Sequence, residues 1–270
     1  MLIAGIIISA AFGAVLASFL NVCIDRLPAG ESLLFPPSHC SSCGHRLAAR
    51  DLVPIFSFLA LRGRCRYCGV KLPNRLLWVE VVTAALFGFL FWKYGLTAGL
   101  ALALFYAAVF VVLTVIDLEH YLILNRIVYP ATAIVLVVSI FLPPARFIDS
   151  GGTDFSGAIA SLPQAGILQA LIGGAIGVAL FALIIIVSRG GMGWGDAKMA
   201  GLVGAMTGYL VPLAILLAVV IGGLLAIGLL ILRLKKRKEG IPFGPFLALG
   251  GMITVLWGAS IADWYLGRFW

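Results

Sequence analysis

Two aspartates interrupt apolar parts of the chain, and they are the first candidates for chemistry. Asp117 closes an apolar run in VVLTVIDLEHYLILN, and Asp196 lies in GMGWGDAKM between two further apolar regions. A charged side chain at membrane depth is costly unless it faces a cavity or a partner. Two carboxylates brought together can share a proton, so that one acts as a base on a bound water while the other polarises a carbonyl. The pair predicts aspartyl-protease chemistry.

Small residues and a third acid accompany this pair. The glycines at positions 191, 193 and 195 surround Asp196, and a backbone without Cβ can approach an extended substrate closely. The alternative interpretation of Gly193 and Gly195 is a flexible turn between two membrane spans. Glu80, early in the apolar run LLWVEVV, is expected to approach the two aspartates. Gly193, Gly195 and Glu80 are the predicted supporting residues of the site.

Four of the five cysteines form two CxxC pairs, Cys40 with Cys43 and Cys65 with Cys68. Each pair on a tight turn can present two thiolates to one ion, and two pairs complete a tetrahedral Zn²⁺ site. Disulfides and an iron–sulfur centre are the alternatives, and a reducing cytoplasm disfavours the disulfides. Because four thiolates leave no open coordination position, we expect the zinc to fold its loop rather than to catalyse a reaction.

The elements that must position these residues are apolar helices. The chain has 270 residues, of which 62% are hydrophobic and 11% are charged, whereas a soluble chain carries about a quarter charged residues. Continuous apolar blocks also argue against a transmembrane β-barrel. The sequence therefore predicts an all-α polytopic membrane protein with about eight transmembrane helices. The expected spans are 1–25, 76–92, 97–116, 127–143, 166–188, a short one at 197–209, 211–232 and 242–262.

The basic residues predict the orientation of these spans. With the N-terminus outside, all but three of the 19 Lys and Arg residues fall on the cytoplasmic side, and the exceptions are Lys93, Arg146 and Arg268. On this topology the long polar segment 26–75 is a cytoplasmic loop domain that carries the cysteines, and 76–270 is the membrane core. Both aspartates then lie at the cytoplasmic face. The positive charge is divided among loops without a groove-reading motif, so no nucleic-acid partner is expected.

Two other classes of function compete with a protease. In a proton-coupled transporter the intramembrane acids would relay protons, but such proteins usually show paired halves, and the sequence has no visible duplication. A zinc-loop scaffold would assemble other membrane proteins without chemistry. It would tolerate a change of Asp196 to asparagine, whereas a protease would not.

Around these residues the sequence resembles the type IV prepilin leader peptidases, bifunctional bacterial inner-membrane enzymes that also act as N-methyltransferases. The likeness is carried in order by ASFLNVCIDRLP, the segment PPSHCSSCGHRLAARDLVPIFSFLALRGRCRYCGVKLPNRLLWVE, IDLEHYLILN, GMGWGDAKM and GIPFGPFLALGG. One departure is Ile123-Leu124-Asn125, where many members of the family have Leu-Pro-Asp.

The resemblance implies specific roles. Asp117 and Asp196 match the catalytic aspartates, and the four cysteines match the zinc-associated loop of the bifunctional members. The substrates would be type IV prepilins or type II secretion pseudopilins, cut after a glycine behind a short basic leader. The new N-terminal residue would then be methylated with S-adenosylmethionine. No Gly-x-Gly-x-x-Gly motif is present, so the residues that bind this cofactor are unknown, and the 26–75 loop is the expected contributor.

Overall fold

The protein is described by a computed structural model that covers residues 1–144, 165–187, 193–232 and 241–269. All regular elements in these ranges are helical, and they include two short 3₁₀ turns, Ala49–Asp51 and Gly208–Leu210. The α-helices are α1 (Leu2–Ala29), α2 (Phe56–Ala60), α3 (Arg75–Tyr94), α4 (Ala98–His120), α5 (Asn125–Ser139), α6 (Gly166–Val187), α7 (Trp194–Thr207), α8 (Val211–Ile231) and α9 (Gly244–Phe269).

Most of these helices have the length and composition of membrane spans. Within the described ranges, six stretches are long and apolar enough to cross a bilayer, and one of them, Trp194–Ile231, joins α7 and α8 across a 3₁₀ turn. The helix α5 is apolar but only 15 residues long. The predicted class, an all-α polytopic membrane protein, is confirmed. Helices are present at all eight positions where the sequence predicted spans.

The chain divides into two compact units, Met1–Val112 and Leu113–Trp270, with the boundary inside α4. In the first unit α1 packs along α3. The Ser9 hydroxyl donates to the Phe87 carbonyl over 2.9 Å, and the Asn21 amide donates to the Leu76 carbonyl over 3.2 Å. The helix α1 continues to Ala29 and ends at Gly30, whose φ of 73° gives the left-handed cap that glycine favours.

In the second unit α6 and α7 pack backbone to backbone. A Cβ added at Gly173 or Gly177 of α6 would overlap backbone atoms of α7, and one added at Gly204 of α7 would overlap Gly173. Small residues allow membrane helices to approach closely where water supplies no driving force for their association. The position of α7 is therefore fixed by helix backbone rather than by long side chains. Helix α9 packs against both α7 and α8.

Three parts of the sequence fall wholly or largely outside the described residues. They are the glycine at position 191, the polar segment of about 145–165 between the fourth and fifth predicted spans, and the basic run RLKKRKEG at 233–240.

Candidate active site and metal centre

Asp117 lies in the last turn of α4 and is buried, with 5% of its surface exposed. Its Oδ2 accepts a hydrogen bond of 2.8 Å from the backbone N–H of Gly244, the first residue of α9. The first N–H groups of a helix have no partner within the helix and carry partial positive charge. Asp117 therefore satisfies one of these groups, and in return its carboxylate is held in one orientation.

The fit at Gly244 is tight. A Cβ at this position would lie 2.6 Å from Oδ2 and 3.1 Å from Cγ of Asp117. Heavy atoms do not approach that closely without displacement, so any side chain at Gly244 would push the carboxylate away. Glycine is required here by close approach.

Asp196 lies in the first turn of α7 and is half-buried. Gly193 precedes the helix in an extended conformation, and its carbonyl accepts the Asp196 N–H over 3.1 Å. The Asp117 and Asp196 carboxylates are close enough for their charges to repel each other. The structure thus brings together the two aspartates that the sequence analysis singled out.

Contacts from the segment after α4 hold the start of α7. The Lys198 ammonium donates to Oδ1 of Asn125 over 3.0 Å and lies 5.8 Å from the centre of the Tyr129 ring. A Cβ at Gly195 would lie 3.1 Å from Cβ of Ile123, so the missing side chain lets α7 approach this segment closely. Ile123 and Asn125 belong to the stretch in which the sequence departs from the resembled family. In this chain that stretch contacts the helix of Asp196.

Glu80 lies in the first unit, on α3, and is buried. Its Oε2 accepts a hydrogen bond of 2.6 Å from the backbone N–H of Ile55. Ile55 has a φ of 64°, which is uncommon for a β-branched residue. The observed contact of Glu80 is therefore with the loop that carries the cysteines, and its predicted role beside the aspartates stays a prediction.

The two cysteine pairs adopt the same local structure. In each, the first cysteine N–H donates to the carbonyl five residues on, and the glycine after the second cysteine donates back to the first cysteine carbonyl. These glycines, Gly44 and Gly69, have φ values of 69° and 72°, where a Cβ would be strained. Two equivalent turns therefore present four thiols to one point.

The four Sγ atoms of Cys40, Cys43, Cys65 and Cys68 all lie within 4.8 Å of one another. The Sγ atoms of Cys40 and Cys68 are 3.9 Å apart, and a Zn–S distance of about 2.3 Å in a tetrahedron requires about 3.8 Å between sulfurs. Disulfide sulfurs would be about 2 Å apart. Backbone N–H groups of Cys43 and Ser42 lower the pKa of the Cys40 thiol to about 6, because they stabilise the thiolate that binds a metal. The group can hold a tetrahedral metal ion.

An ion-paired aspartate holds the second cysteine turn independently of a metal. Asp51 accepts hydrogen bonds from Arg66 Nε over 2.6 Å, from Tyr67 Oη over 3.0 Å and from the Ala48 N–H over 3.1 Å. The hydrogen bond from Arg66 is the main cause that lowers the pKa of Asp51. The Tyr67 ring also lies 3.7 Å, centre to centre, from the ring of His45 on the other turn.

Sequence reasoning missed several of these residues. Gly244 lies in GIPFGPFLALGG, and nothing in that motif shows that its amide meets Asp117. The signal for Gly44 and Gly69 was present, because both pairs read Cys-x-x-Cys-Gly. Asp51 carried no signal in its spacing.

Comparisons with known proteins agree with this geometry. Residues 11–94 match the model of the bacterial peptidase A24 N-terminal domain, and residues 104–227 match the model of the type IV leader peptidase family. No solved structure matches the chain.

Curated relatives of this chain bear the name prepilin leader peptidase/N-methyltransferase. The proteins of Stutzerimonas stutzeri and Pseudomonas aeruginosa are each 32% identical over 94% of this chain and 91% of their own length. That of Bacillus subtilis is 33% identical over 94% of this chain and 95% of its own. These matches do not favour the transporter and scaffold alternatives. The chain belongs to the type IV leader peptidase family and is a multi-pass membrane aspartic peptidase with N-methyltransferase activity.

Proposed function

We propose that this enzyme cleaves the basic leader of type IV prepilins or type II secretion pseudopilins after a glycine, with Asp117 and Asp196 as its catalytic dyad. It then methylates the new N-terminal residue with S-adenosylmethionine. The observation that carries the proposal is the approach of two carboxylates, one buried and one half-buried, at the ends of two membrane helices. The relatives named above supply the substrate class.

We propose different roles for the two aspartates, based on their surroundings. Asp117 accepts a hydrogen bond from the N-terminal N–H of α9, and such a contact favours the ionised carboxylate. Asp117 is the general base. Asp196 lies near this negative charge, and two adjacent carboxylates do not both ionise readily, so in the proposed mechanism Asp196 carries the shared proton.

The reaction follows from these roles. Asp117 removes a proton from a water molecule, and the water oxygen adds to the scissile carbonyl carbon while protonated Asp196 donates a hydrogen bond to the carbonyl oxygen. The tetrahedral adduct collapses, the C–N bond breaks, and the departing nitrogen takes up the proton that Asp117 removed from the water. The products are the leader, which ends in a glycine carboxylate, and a mature chain with a free amine.

The glycines near Asp196 give the substrate room. Gly193 is exposed, and a Cβ there would lie 3.9 Å from Asp196 Oδ2, on the approach to the carboxylate. An extended substrate backbone can occupy the space that a side chain would fill. We therefore keep Gly193 as a supporting residue of the site, while Gly195 supports it by allowing α7 to approach Ile123.

A structural zinc ion at the four cysteines is part of the proposal. The thiols have the separation that a tetrahedral ion requires, and the loop is short of buried apolar side chains, so ion binding would supply folding energy. The ligands would be Cys40, Cys43, Cys65 and Cys68. The zinc keeps no open position and takes no part in peptide cleavage.

The cell location follows from the charge distribution and the substrate class. We place the enzyme in the bacterial inner membrane with its N-terminus outside and its cysteine loop and aspartates on the cytoplasmic side. A prepilin inserted with its basic leader in the cytoplasm would present its cleavage site at that face.

The methyl transfer rests on the names of the relatives. S-adenosylmethionine would supply an electrophilic methyl group to the amine that cleavage exposes, with release of a proton. The cysteine loop remains the segment that we expect to contribute.

The experiment that tests the proposal uses full-length enzyme in detergent or nanodiscs, a reporter prepilin and S-adenosylmethionine. The N-terminal sequence and intact mass of the product are compared for wild type and Asp196→Asn. Wild type should give a chain that starts after the leader glycine and carries one extra methyl group, and the variant should leave the reporter uncut. Cleavage by Asp196→Asn at the wild-type rate would reject the dyad, and cleavage without methylation would reject only the transferase activity.

A further inference from the structure

A short apolar surface lies in the segment that connects α1 to α3. Four of its apolar side chains are exposed to a large extent: Phe56 is 74% exposed, Leu59 58%, Val53 45% and Leu52 39%. We name these four residues the apolar loop face. Apolar surfaces of this kind mark sites of interaction with a partner or a membrane.

The four exposed side chains lie on a turn and on the short helix that follows it. Leu52 and Val53 precede the turn at Ile55, and Phe56 and Leu59 lie on α2. Backbone hydrogen bonds from Ser57 N–H to Val53 O and from Leu59 N–H to Ile55 O join the turn to the helix. The Phe58 ring, in contrast, lies close to Gly63, because a Cβ added at Gly63 would be only 3.0 Å from the ring. The segment thus has one side turned inward and one apolar side turned outward.

A hydrogen bond holds the segment at one position along the membrane helix α3. The Ile55 N–H donates to the buried Glu80 carboxylate, which lies five residues after the start of α3 and so about 7.5 Å along its axis. α3 is one of the candidate membrane spans. Trp78, in its first turn, is 64% exposed, and tryptophan is enriched at the boundary between lipid and water. The apolar loop face is therefore held beside the interfacial turns of α3.

The charges around this surface are basic. Exposed Arg50 and Arg62 flank the segment, and exposed Arg64 follows. The one acidic residue in the interval, Asp51, is neutralised by Arg66. Exposed apolar side chains edged by arginines are typical of segments that lie in the plane of a membrane with anionic lipids.

From these contacts we propose that the apolar loop face inserts into the headgroup region of the bilayer that α3 crosses, with the flanking arginines on anionic lipid phosphates. The two cysteine turns, which bracket this segment in the chain, are thereby held at the membrane surface. The inference goes beyond the catalytic proposal and does not depend on it.

The experiment uses the full-length protein in nanodiscs of phosphatidylcholine and phosphatidylglycerol, without substrate. The photoreactive residue p-benzoylphenylalanine is placed at position 56 or, as a control, at position 41, where Ser41 is exposed on the first cysteine turn. Lipid adducts are counted by mass spectrometry after illumination. Position 56 should give about tenfold more lipid adduct than position 41. Equal yields, or no lipid adduct at position 56, would overturn the proposal.

A second measurement needs no photoreactive residue and tests whether lipid is the partner of the apolar loop face. Hydrogen exchange at residues 52–60 of the wild type should slow when phosphatidylglycerol replaces phosphatidylcholine, and Phe56→Ser with Leu59→Ser should remove that dependence. A hydrogen-exchange rate in the wild type that is the same in both lipids would contradict insertion. If an added prepilin takes the cross-link at position 56 and the lipid adduct disappears, the surface is a substrate site and the proposal fails.

Discussion

The Asp117 carboxylate accepts a hydrogen bond of 2.8 Å from the backbone N–H of Gly244, 127 residues further along the chain. The contact joins the end of α4 to the start of α9, and it leaves no space for a side chain at Gly244. One aspartate of the proposed dyad is therefore positioned by a backbone group, which has few ways to move. This relationship and the surrounding contacts lead to the following predictions.

Removing either carboxylate should abolish peptide cleavage. Asp117→Asn and Asp196→Asn each lose the proton transfer that the dyad supplies, so we expect cleavage to fall at least about 100-fold in both. The measurement is the initial rate of reporter cleavage by variants shown to be in the membrane. Glu119→Gln is the control, because Glu119 is exposed at the same end of α4. A rate near wild type in either aspartate variant would reject the assignment.

A methyl group at Gly244 should impair catalysis by Asp117 and leave substrate binding largely unchanged. In Gly244→Ala the new Cβ would lie 2.6 Å from Oδ2 of Asp117 and displace the carboxylate. We expect kcat to fall about 10- to 100-fold with little change in KM, because such displacements misplace a catalytic group. The matched control is Gly223→Ala on α8, where a Cβ would meet nothing within 4 Å. Equal kcat for both variants would show that the contact does not position Asp117.

Packing of α6 on α7 should depend on glycine. Gly177→Ala or Gly204→Ala forces a Cβ into the backbone of the facing helix, and such overpacking costs about 1–3 kcal/mol. Thermal unfolding of the purified protein should occur at a lower temperature, and activity should fall because α7 carries Asp196. Gly228→Ala has open space around its Cβ and serves as the control. An unchanged Tm in the α6 and α7 variants would contradict the close packing.

The cysteine cluster should bind one zinc ion per chain. Metal analysis of the purified protein should find about one equivalent, and Cys40→Ser or Cys65→Ser should lose most of it, since three thiolates hold the ion less well. Cys23→Ala changes a buried thiol of α1 that lies outside the cluster, and it should retain the zinc. Full zinc content in both cluster variants would rule out this site.

Asp51 should stabilise the loop in a pH-dependent way. The pKa of Asp51 in the folded protein lies below the ordinary value of 3.8. The stability that ionised Asp51 contributes is therefore complete at pH values well above 3.8, and it is lost as the pH falls through the lower pKa of the folded protein. Asp51→Asn should therefore unfold at lower temperature than wild type at neutral pH, and the difference should begin to shrink as the pH falls below about 4. Comparing the two proteins cancels acid effects that both share. A Tm difference that is the same at pH 7 and pH 3 would contradict the ionic role.

The sequence predicted the parts of this protein that depend on local composition. Apolar runs of sufficient length predicted the helices, and the two Cys-x-x-Cys pairs predicted a cluster because each pair determines its own turn. Asp117 and Asp196 were recognised because carboxylates are rare in such surroundings. Their proximity was an inference from topology, and in the structure the charge of Asp117 acts on Asp196.

Long-range contacts could not be predicted in the same way. The bond between Asp117 and Gly244 depends on how α4 and α9 pack, and a glycine at the start of a helix has many possible explanations. Similarly, no spacing rule connects Lys198 with Asn125, or Ile55 with Glu80. These contacts arise from helix packing, which a single sequence does not specify in its local pattern.

The start of α9 also defines how small a working peptidase can be. The match to the type IV leader peptidase family ends at residue 227, yet the backbone group that orients Asp117 is at residue 244. A fragment trimmed to the matched region would keep both aspartates and lose the amide that orients one of them. The minimal catalytic fragment therefore includes the beginning of the last helix, although that helix contributes no acidic side chain to the dyad.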